Sequence, residues 1–220
     1  MSAASIPVVA IDGPSASGKG TVAQRVADAL GFHYLDSGAL YRTVALAALR
    51  RGIDLESRLE TSRIALNLNI RFLSGRIVLG GEDVSDALRA EEVGVGASRV
   101  AAHPEVRAAL LDRQRAFRQP PGLVADGRDM GSVVFPDAAL KIYLTASAEE
   151  RALRRYKQLI EKGMSASMSP LLQEIRARDA RDSARAAAPL QKCTDAMELD
   201  TTGMSIEAAV AAVLRAYRKA

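Results

Sequence analysis

The chain has 220 residues, of which 48% are hydrophobic, and its 30 basic and 26 acidic residues leave a net charge of +4. This length is sufficient for one α/β domain with an appendage and a full core. A single cysteine and two histidines exclude an internal disulfide and a zinc cluster, and an aromatic content of 4% with no tryptophan disfavours nucleic-acid binding.

The first predicted element is an apolar strand at 8–11, followed by a glycine-framed loop and a helix over 21–30 that ends at Gly31. The apolar run is too short for a signal sequence or a membrane span. We therefore expect a protein of the reducing cytoplasm.

The loop between this strand and this helix is the most informative segment of the chain. Its glycines let backbone N–H groups turn toward phosphate oxygens, Lys19 adds a positive charge, and the helix adds its positive N-terminal end. The alternative is a purely structural role, as a glycine-rich turn that links the strand to the helix. The predicted nucleotide loop comprises Gly13, Pro14, Ser15, Ala16, Ser17, Gly18, Lys19, Gly20 and Thr21.

This loop departs from the strict phosphate-loop pattern at one position. Gly20 follows the lysine where Ser or Thr usually holds Mg²⁺, and a hydroxyl comes one residue later, at Thr21. We therefore expect Mg²⁺ to bind together with ATP near Thr21, and we assign no direct protein ligand.

The remaining elements alternate between strand and helix, which indicates a parallel sheet covered by helices. A short strand at 33–35 precedes a helix over 39–50, which Asp36 or Ser37 caps. Further strands are predicted at 123–125, 140–144 and 196–199, before a C-terminal helix over 205–217. The fold class is α/β.

Two segments look like insertions into the core, which comprises 1–58, 99–155 and 171–220. In the first, 59–98, two alternating runs flank Ser74-Gly75, which predicts an antiparallel hairpin. The second, 156–170, has the composition of a mobile lid between two arginine-rich helices. The alternative for 156–170 is a plain surface connection between helices.

Arginines recur along the second half of the chain. The spacing of Arg178, Asp182 and Arg185 predicts that they share one helix face, with Arg181 beside them. Alone, such a face is often a solvated stripe, but beside a phosphate loop it is suited to neutralise phosphate charge. The same holds for Arg151, Arg154 and Arg155, and the charged loop 126–131 follows a strand at its ligand-binding end.

Five motifs in this order resemble bacterial-type cytidylate kinases, nucleoside monophosphate kinases with the P-loop kinase fold, over nearly the whole chain. They are D-G-P-S-A-S-G-K-G-T at 12–21, L-D-S-G-A-L-Y-R at 35–42, A-D-G-R-D-M-G-S-V-V-F-P-D-A at 125–138, E-E-R-A-L-R-R at 149–155 and R-D-A-R-D-S-A-R at 178–185. The first is common to many phosphate-binding proteins, whereas the second, third and last are specific to the family. Gly94-Val95-Gly96 departs from the family pattern by placing two helix-weakening glycines just before Ser98.

The resemblance implies transfer of the ATP γ-phosphoryl group to CMP or dCMP, with Mg²⁺, by a monomer. It implies ATP contacts from the loop, Arg151 and Arg155, with 59–98 as the monophosphate-binding insertion. The implied catalytic residues are Lys19, Arg128, Arg178 and Arg185. The implied CMP-binding residues are Ser37, Tyr41, Arg42, Ser98, Arg107, Arg128, Asp129, Arg178, Asp182 and Arg185.

Three other functions would also use a phosphate-binding loop. Another small-molecule kinase of the same fold would keep the loop but lack the hairpin and the arginine face. A regulatory GTPase would carry an Asn-Lys-x-Asp motif, which the sequence lacks. A nucleotide-binding module without activity would bind nucleotide but would not turn it over.

Overall fold

A computed structural model describes residues 6–73, 75–161 and 163–219. The chain forms two compact units. The first, called the sheet unit, comprises the residues up to Leu35 and those from Ala116 onward. The second, Asp36–Arg115, is called the helical unit. The predicted division into a core, a monophosphate-binding insertion and a lid is a functional one and stays a prediction.

The sheet unit is built on a five-stranded parallel sheet. Its strands are β1 (Val8–Asp12), β2 (His33–Asp36), β6 (Leu123–Gly127), β7 (Leu140–Thr145) and β8 (Met197–Asp200), in the spatial order β2-β6-β1-β7-β8. β1 and β6 are buried along their whole length, as strands covered on both faces require. The predicted strands are therefore confirmed.

In its described residues the sheet unit contains the helices α1 (Lys19–Leu30), α6 (Ala148–Glu161), α7 (Met168–Ser183) and α8 (Ile206–Tyr217). α1 and α8 share one apolar core with the sheet, in which Val26 and Val213 pack with Ile11 and Leu144. α6 and α7 pack through Ala152, Leu159, Leu171 and Ile175. Residues between 161 and 168 separate these last two helices, so the predicted lid is helical at both ends.

The helical unit contains α2 (Ser37–Arg50), α3 (Arg58–Leu66), α4 (Glu91–Val100) and α5 (Pro104–Arg115). α2 begins because the Asp36 carboxylate accepts the N–H of Ala39 at 2.9 Å, so of the two predicted caps Asp36 is the right one. α2 and α4 approach closely at Gly96, where a Cβ would stand 3.1 Å from Ala45 Cβ. A residue that weakens a helix locally is thus used here for tight helix packing.

The predicted hairpin is confirmed as a small antiparallel sheet in the helical unit. β3 (Ile70–Leu73) pairs with β4 (Arg76–Leu79), with Leu73 opposite Arg76, and β5 (Glu82–Asp83) pairs with β4. Of the predicted turn, Ser74 lies outside the described residues. Among the described residues, no helix is long and apolar enough to cross a membrane.

Candidate functional site

The glycine-framed loop joins the end of β1 to the start of α1, as predicted. Gly13 is required because a Cβ there would overlap the carbonyl oxygen of Leu144 on β7. Gly18 caps α1 with φ at 90°, a conformation open to glycine. The first backbone N–H groups of α1 point out of the helix end and favour an anion. Lys19, largely buried, donates from Nζ to the carbonyl of Pro14 at 3.4 Å.

Two arginines of α6 contact this loop. Arg151 donates from Nη1 to the carbonyl of Ser15 at 3.2 Å, and Arg154 donates from Nη1 to the carbonyl of Ser17 at 2.8 Å. Arg155, in contrast, makes no hydrogen bond or ion pair with the residues that the structure describes. Of the arginines predicted to contact ATP, one therefore binds the loop itself and one remains available for a ligand.

A buried carboxylate at the end of β1 holds the loop that follows β6. Asp12 accepts the N–H groups of Met130 and Gly131, both at 2.8 Å, at the start of a single π-helical turn, Met130–Val134. Burial raises the pKa of Asp12 to about 7, against the lowering effect of these two hydrogen bonds; the charge of Asp129 also raises it. Asp12 thereby fixes the segment that carries Arg128 and Asp129.

A second buried carboxylate gathers the predicted catalytic arginines. Asp182 accepts from Arg128 Nε at 2.9 Å and from Arg185 Nη2 at 2.6 Å. Burial would raise the pKa of Asp182, but the positive charges of Arg128, Arg185 and Arg178 outweigh it and hold that pKa well below its usual range. Three guanidinium groups around one carboxylate leave an excess of positive charge that suits phosphate.

One part of the sequence interpretation is wrong here. α7 ends at Ser183, with Ala184 as its C-cap, so Arg185 does not share a helix face with Arg178 and Asp182. The side chain of Arg185 nevertheless returns to Asp182, because the chain turns after the helix and Leu190 N donates to Asp182 O at 2.8 Å. The cluster forms without the helical periodicity that predicted it.

The helical unit carries the other predicted CMP-binding residues. Ser37 and Tyr41 are buried on α2, and Arg42 pairs with Asp36 at 2.5 Å. The guanidinium carbon of Arg107 on α5 lies 5.7 Å from the centre of the Tyr41 ring, a cation–π contact. Ser98 is buried on α4.

Several polar residues at the site were not assigned a role from the sequence. Asp126, at the end of β6, accepts from the hydroxyl of Tyr34 at 2.8 Å and lies beside Gly20. Thr201, just after β8, bonds to Arg154 and the loop, and Asp179 on α7 pairs with Arg151. Asp12 and Asp126 did carry a signal, since each is a carboxylate at the carboxyl end of an apolar strand.

A phosphate-binding loop after the first strand of a parallel sheet, with a charged arginine cluster in the same unit, defines a P-loop phosphotransferase. The sequence profile of the cytidylate kinase family matches residues 9–219. The chain belongs to the cytidylate kinase family.

Curated relatives agree with this assignment. The chain is 60% identical to a cytidylate kinase of Nitrosomonas europaea over 215 residues, which cover 98% of this chain and 96% of the relative. It is 59% identical to a cytidylate kinase of Bordetella bronchiseptica, over 99% of this chain and 97% of the relative. A solved structure of an uncharacterized protein from Eubacterium ventriosum is similar in fold, with a TM-score of 0.52, 8% identity, and coverage of 97% of this chain and 99% of the other.

Proposed function

We propose that this chain transfers the γ-phosphoryl group of ATP to CMP or dCMP, giving ADP and CDP or dCDP. The observation that carries the proposal is the pairing of a phosphate loop with the arginine cluster around Asp182 in a member of the cytidylate kinase family. A kinase for another small molecule is not favoured by this membership. The enzyme acts as a monomer in the cytoplasm.

ATP binds with its phosphates in the loop. Phosphoryl transfer passes through a loose, in-line transition state, so positioning and charge stabilisation matter more than an acid or a base. The loop amides hold the β-phosphate, and Lys19 bridges oxygens of the β- and γ-phosphates. Arg155, which has no protein partner among the described residues, adds positive charge on the ATP side.

The transferring group is met by the arginine cluster. Arg128, Arg178 and Arg185 supply charge as it spreads over the equatorial oxygens of the phosphoryl group. The Nε of Arg185 is buried and donates to none of the described residues, so its N–H can donate to an anionic ligand without breaking a protein hydrogen bond. Asp182 holds two of these guanidinium groups in place.

The residues predicted to bind CMP have separate tasks. Arg42 contacts the monophosphate, with Ser37 and Tyr41 on the same helix, and Asp129 accepts from the N4 amino group of cytosine. The complementary polar groups come from Ser98 and Arg107. Uracil presents an acceptor where cytosine presents the N4 donor, so a pocket of this polarity rejects UMP.

We expect Mg²⁺ to bind at this site together with ATP. Among the described residues no group of three or more His, Cys, Asp or Glu side chains suits a metal. Oxygen groups near the loop include the hydroxyl of Thr21, an exposed residue, and the carboxylate of Asp126, whose Oδ2 lies 3.1 Å from where a Cβ on Gly20 would stand. Mg²⁺ usually takes one or two such groups together with substrate phosphates, whose charge it neutralises when bound.

An assay of ADP release with a panel of acceptors tests the proposal. We expect CMP and dCMP to be used in strong preference to UMP, AMP and GMP. Arg176→Ala, which removes an exposed arginine outside the site, serves as the control preparation and keeps the same preference. Equal use of UMP and CMP, or ADP release that no monophosphate stimulates, would overturn the proposal.

A further inference from the structure

Arg151 and Arg154 contact the phosphate loop on both sides of one residue, Ala16. Their spacing of three residues places them on neighbouring positions of one face of α6. Arg151 binds the carbonyl of Ser15 and Arg154 that of Ser17, at 3.2 and 2.8 Å. Both arginines of α6 therefore hold the loop through hydrogen bonds to its carbonyl oxygens.

These two hydrogen bonds determine where two N–H groups of the loop point. In a trans peptide unit the C=O and the N–H point in opposite directions. The Ser15 carbonyl shares its peptide unit with the N–H of Ala16, and the Ser17 carbonyl shares its unit with the N–H of Gly18. Carbonyls held toward α6 thus direct both N–H groups away from α6.

The conformation held in this way is one that an alanine avoids. Ala16 has φ at 57°, in the left-handed region. For a residue with a Cβ this region is less favourable by about 1 to 2 kcal/mol. Strain of this kind persists where surrounding contacts fix it, often at functional sites. The two arginine contacts on either side of Ala16 are such a restraint.

The guanidinium groups of Arg151 and Arg154 use most of their N–H donors in hydrogen bonds to the protein. The Arg151 side chain is 6% exposed; besides Ser15 it donates to the carbonyl of Ala146 at 2.9 Å and to both carboxylate oxygens of Asp179, at 3.0 and 2.6 Å. A guanidinium has five N–H donors, and this arginine uses four of them in these bonds. Paired contact with a phosphate would break several of these bonds.

Arg154 is committed in the same way. Besides Ser17, it donates to the carbonyl of Thr201 at 2.6 Å, to the Thr201 hydroxyl at 3.1 Å and to Glu150 at 3.0 Å. The Thr201 hydroxyl lies 2.9 Å from the carbonyl of Thr145 and 3.3 Å from that of Ser17. Thr201 therefore holds the guanidinium of Arg154, by accepting at both its hydroxyl and its carbonyl, while its single hydroxyl proton is shared between the two backbone carbonyls.

We propose that Arg151 and Arg154 are positioning residues, which orient the Ala16 and Gly18 amides of the phosphate loop for ATP and do not bind ATP themselves. Asp179 and Thr201 hold the two guanidinium groups in place. This inference rests on the proposed function, because it takes the loop as the site of the ATP phosphates. It reassigns Arg151, which sequence reasoning placed among the ATP contacts.

The direct test measures residual dipolar couplings of the Ala16 and Gly18 N–H bonds in the nucleotide-free protein, since these report bond orientation. The variants are Arg154→Ala and Thr201→Val; the second keeps both arginines and removes only the supporting hydroxyl. Asp179→Asn tests the support of Arg151. Glu149→Gln is the matched control, because it removes the charge from an exposed 2.7 Å pair with Arg176 that, like Arg151–Asp179, joins α6 and α7.

We expect the couplings of Ala16 and Gly18 to change in the three loop variants, while those of β1 and of the control stay at wild-type values. The KM for ATP should rise about tenfold or more, as when preorganised donors are lost, with KM for CMP within about twofold of wild type. Unchanged couplings in Arg154→Ala and Thr201→Val would overturn the proposal, even if ATP binding weakened, since the loss would then report a direct contact. The couplings require no phosphoryl transfer, so failure of the proposed function would not mimic this result.

Discussion

The sheet unit and the helical unit hold their candidate groups in different ways. In the sheet unit, Asp12 is bonded to Met130 across 118 positions of sequence, and Arg154 to Ser17 across 137. In the helical unit, Asp36 is bonded to Ala39 and Arg42, three and six positions away. Bonds between distant, buried groups fix a site before a ligand arrives, whereas local bonds fix the helix that carries it. We infer that the groups of the sheet unit, which include the phosphate loop and the arginine cluster around Asp182, are preorganised. The CMP groups of the helical unit depend more on the ligand.

The largest effect on the ATP side of this comparison is expected from Lys19→Ala. The substitution removes the ammonium group that stabilises the transferring phosphoryl group. We expect kcat to fall by roughly 10²- to 10³-fold, which raises the activation free energy by about 3 to 4 kcal/mol, as for other single electrostatic stabilisers. The fold should stay intact, because α1 is anchored by its apolar face in the core. Steady-state kinetics and thermal melting check both points. A variant that melts normally and keeps kcat within about threefold of wild type would contradict the assignment of the loop.

A second prediction concerns the buried carboxylate that links β1 to the loop after β6. Because burial raises the pKa of Asp12 to about 7 from its ordinary 3.8, the folded protein binds more protons than the unfolded chain between these values. The contribution of Asp12 to stability is therefore highest at low pH and falls by about 1.4 kcal/mol per pH unit until pH 7.

Urea unfolding of wild type and Asp12→Asn, measured from pH 4 to pH 8, checks this effect. Asn carries no charge, so the difference in unfolding free energy, wild type minus variant, should decrease as the pH rises and become constant above pH 7. A difference that does not change with pH would show that Asp12 keeps an ordinary pKa in the folded protein, and a difference that rises with pH would show a lowered pKa. Either result contradicts the prediction.

The base-recognition side of the comparison is sharpened by Asp129→Ala. If the carboxylate of Asp129 accepts from the N4 amino group, its loss should lower kcat/KM for CMP by about 1 to 3 kcal/mol more than for UMP. The measurement is the ratio of the two kcat/KM values in wild type and variant. An equal loss on both substrates would assign Asp129 a structural role beside Asp12, in place of base recognition.

These two ways of holding groups also explain what could be predicted from the sequence. The glycine-framed loop between a strand and a helix, the hairpin and a helix cap at Asp36 or Ser37 are local patterns. The structure confirms these elements, with Asp36 as the cap. The bond between Asp12 and the loop after β6 joins segments far apart in sequence, and no local pattern states which partner a carboxylate will find. The position of Arg185 was wrong because helical spacing was extended beyond Ser183, where the helix ends.

The same limit applies to the α6 arginines. Composition and spacing indicate that Arg151, Arg154 and Arg155 act on phosphate, but three neighbouring arginines have the same chemistry in a sequence. Only the packing of α6 against the loop separates the two that bind loop carbonyls from Arg155, which has no partner among the described residues. Side-chain roles therefore needed the tertiary structure, even where the residue types were informative.

Hydrogen exchange in four ligand states tests the central claim, that the ATP loop is preorganised whereas the helical unit and the predicted lid, 156–170, respond to ligand. The states are the free protein, and the protein with a non-hydrolysable ATP analogue, with CMP, or with both. We expect the amides of β1 and the start of α1 to exchange slowly in every state, and the segments 59–98 and 156–170 to become protected when both ligands are bound. If binding is confirmed and exchange in both segments stays unchanged, or if the loop is ordered only by ATP, the account is contradicted.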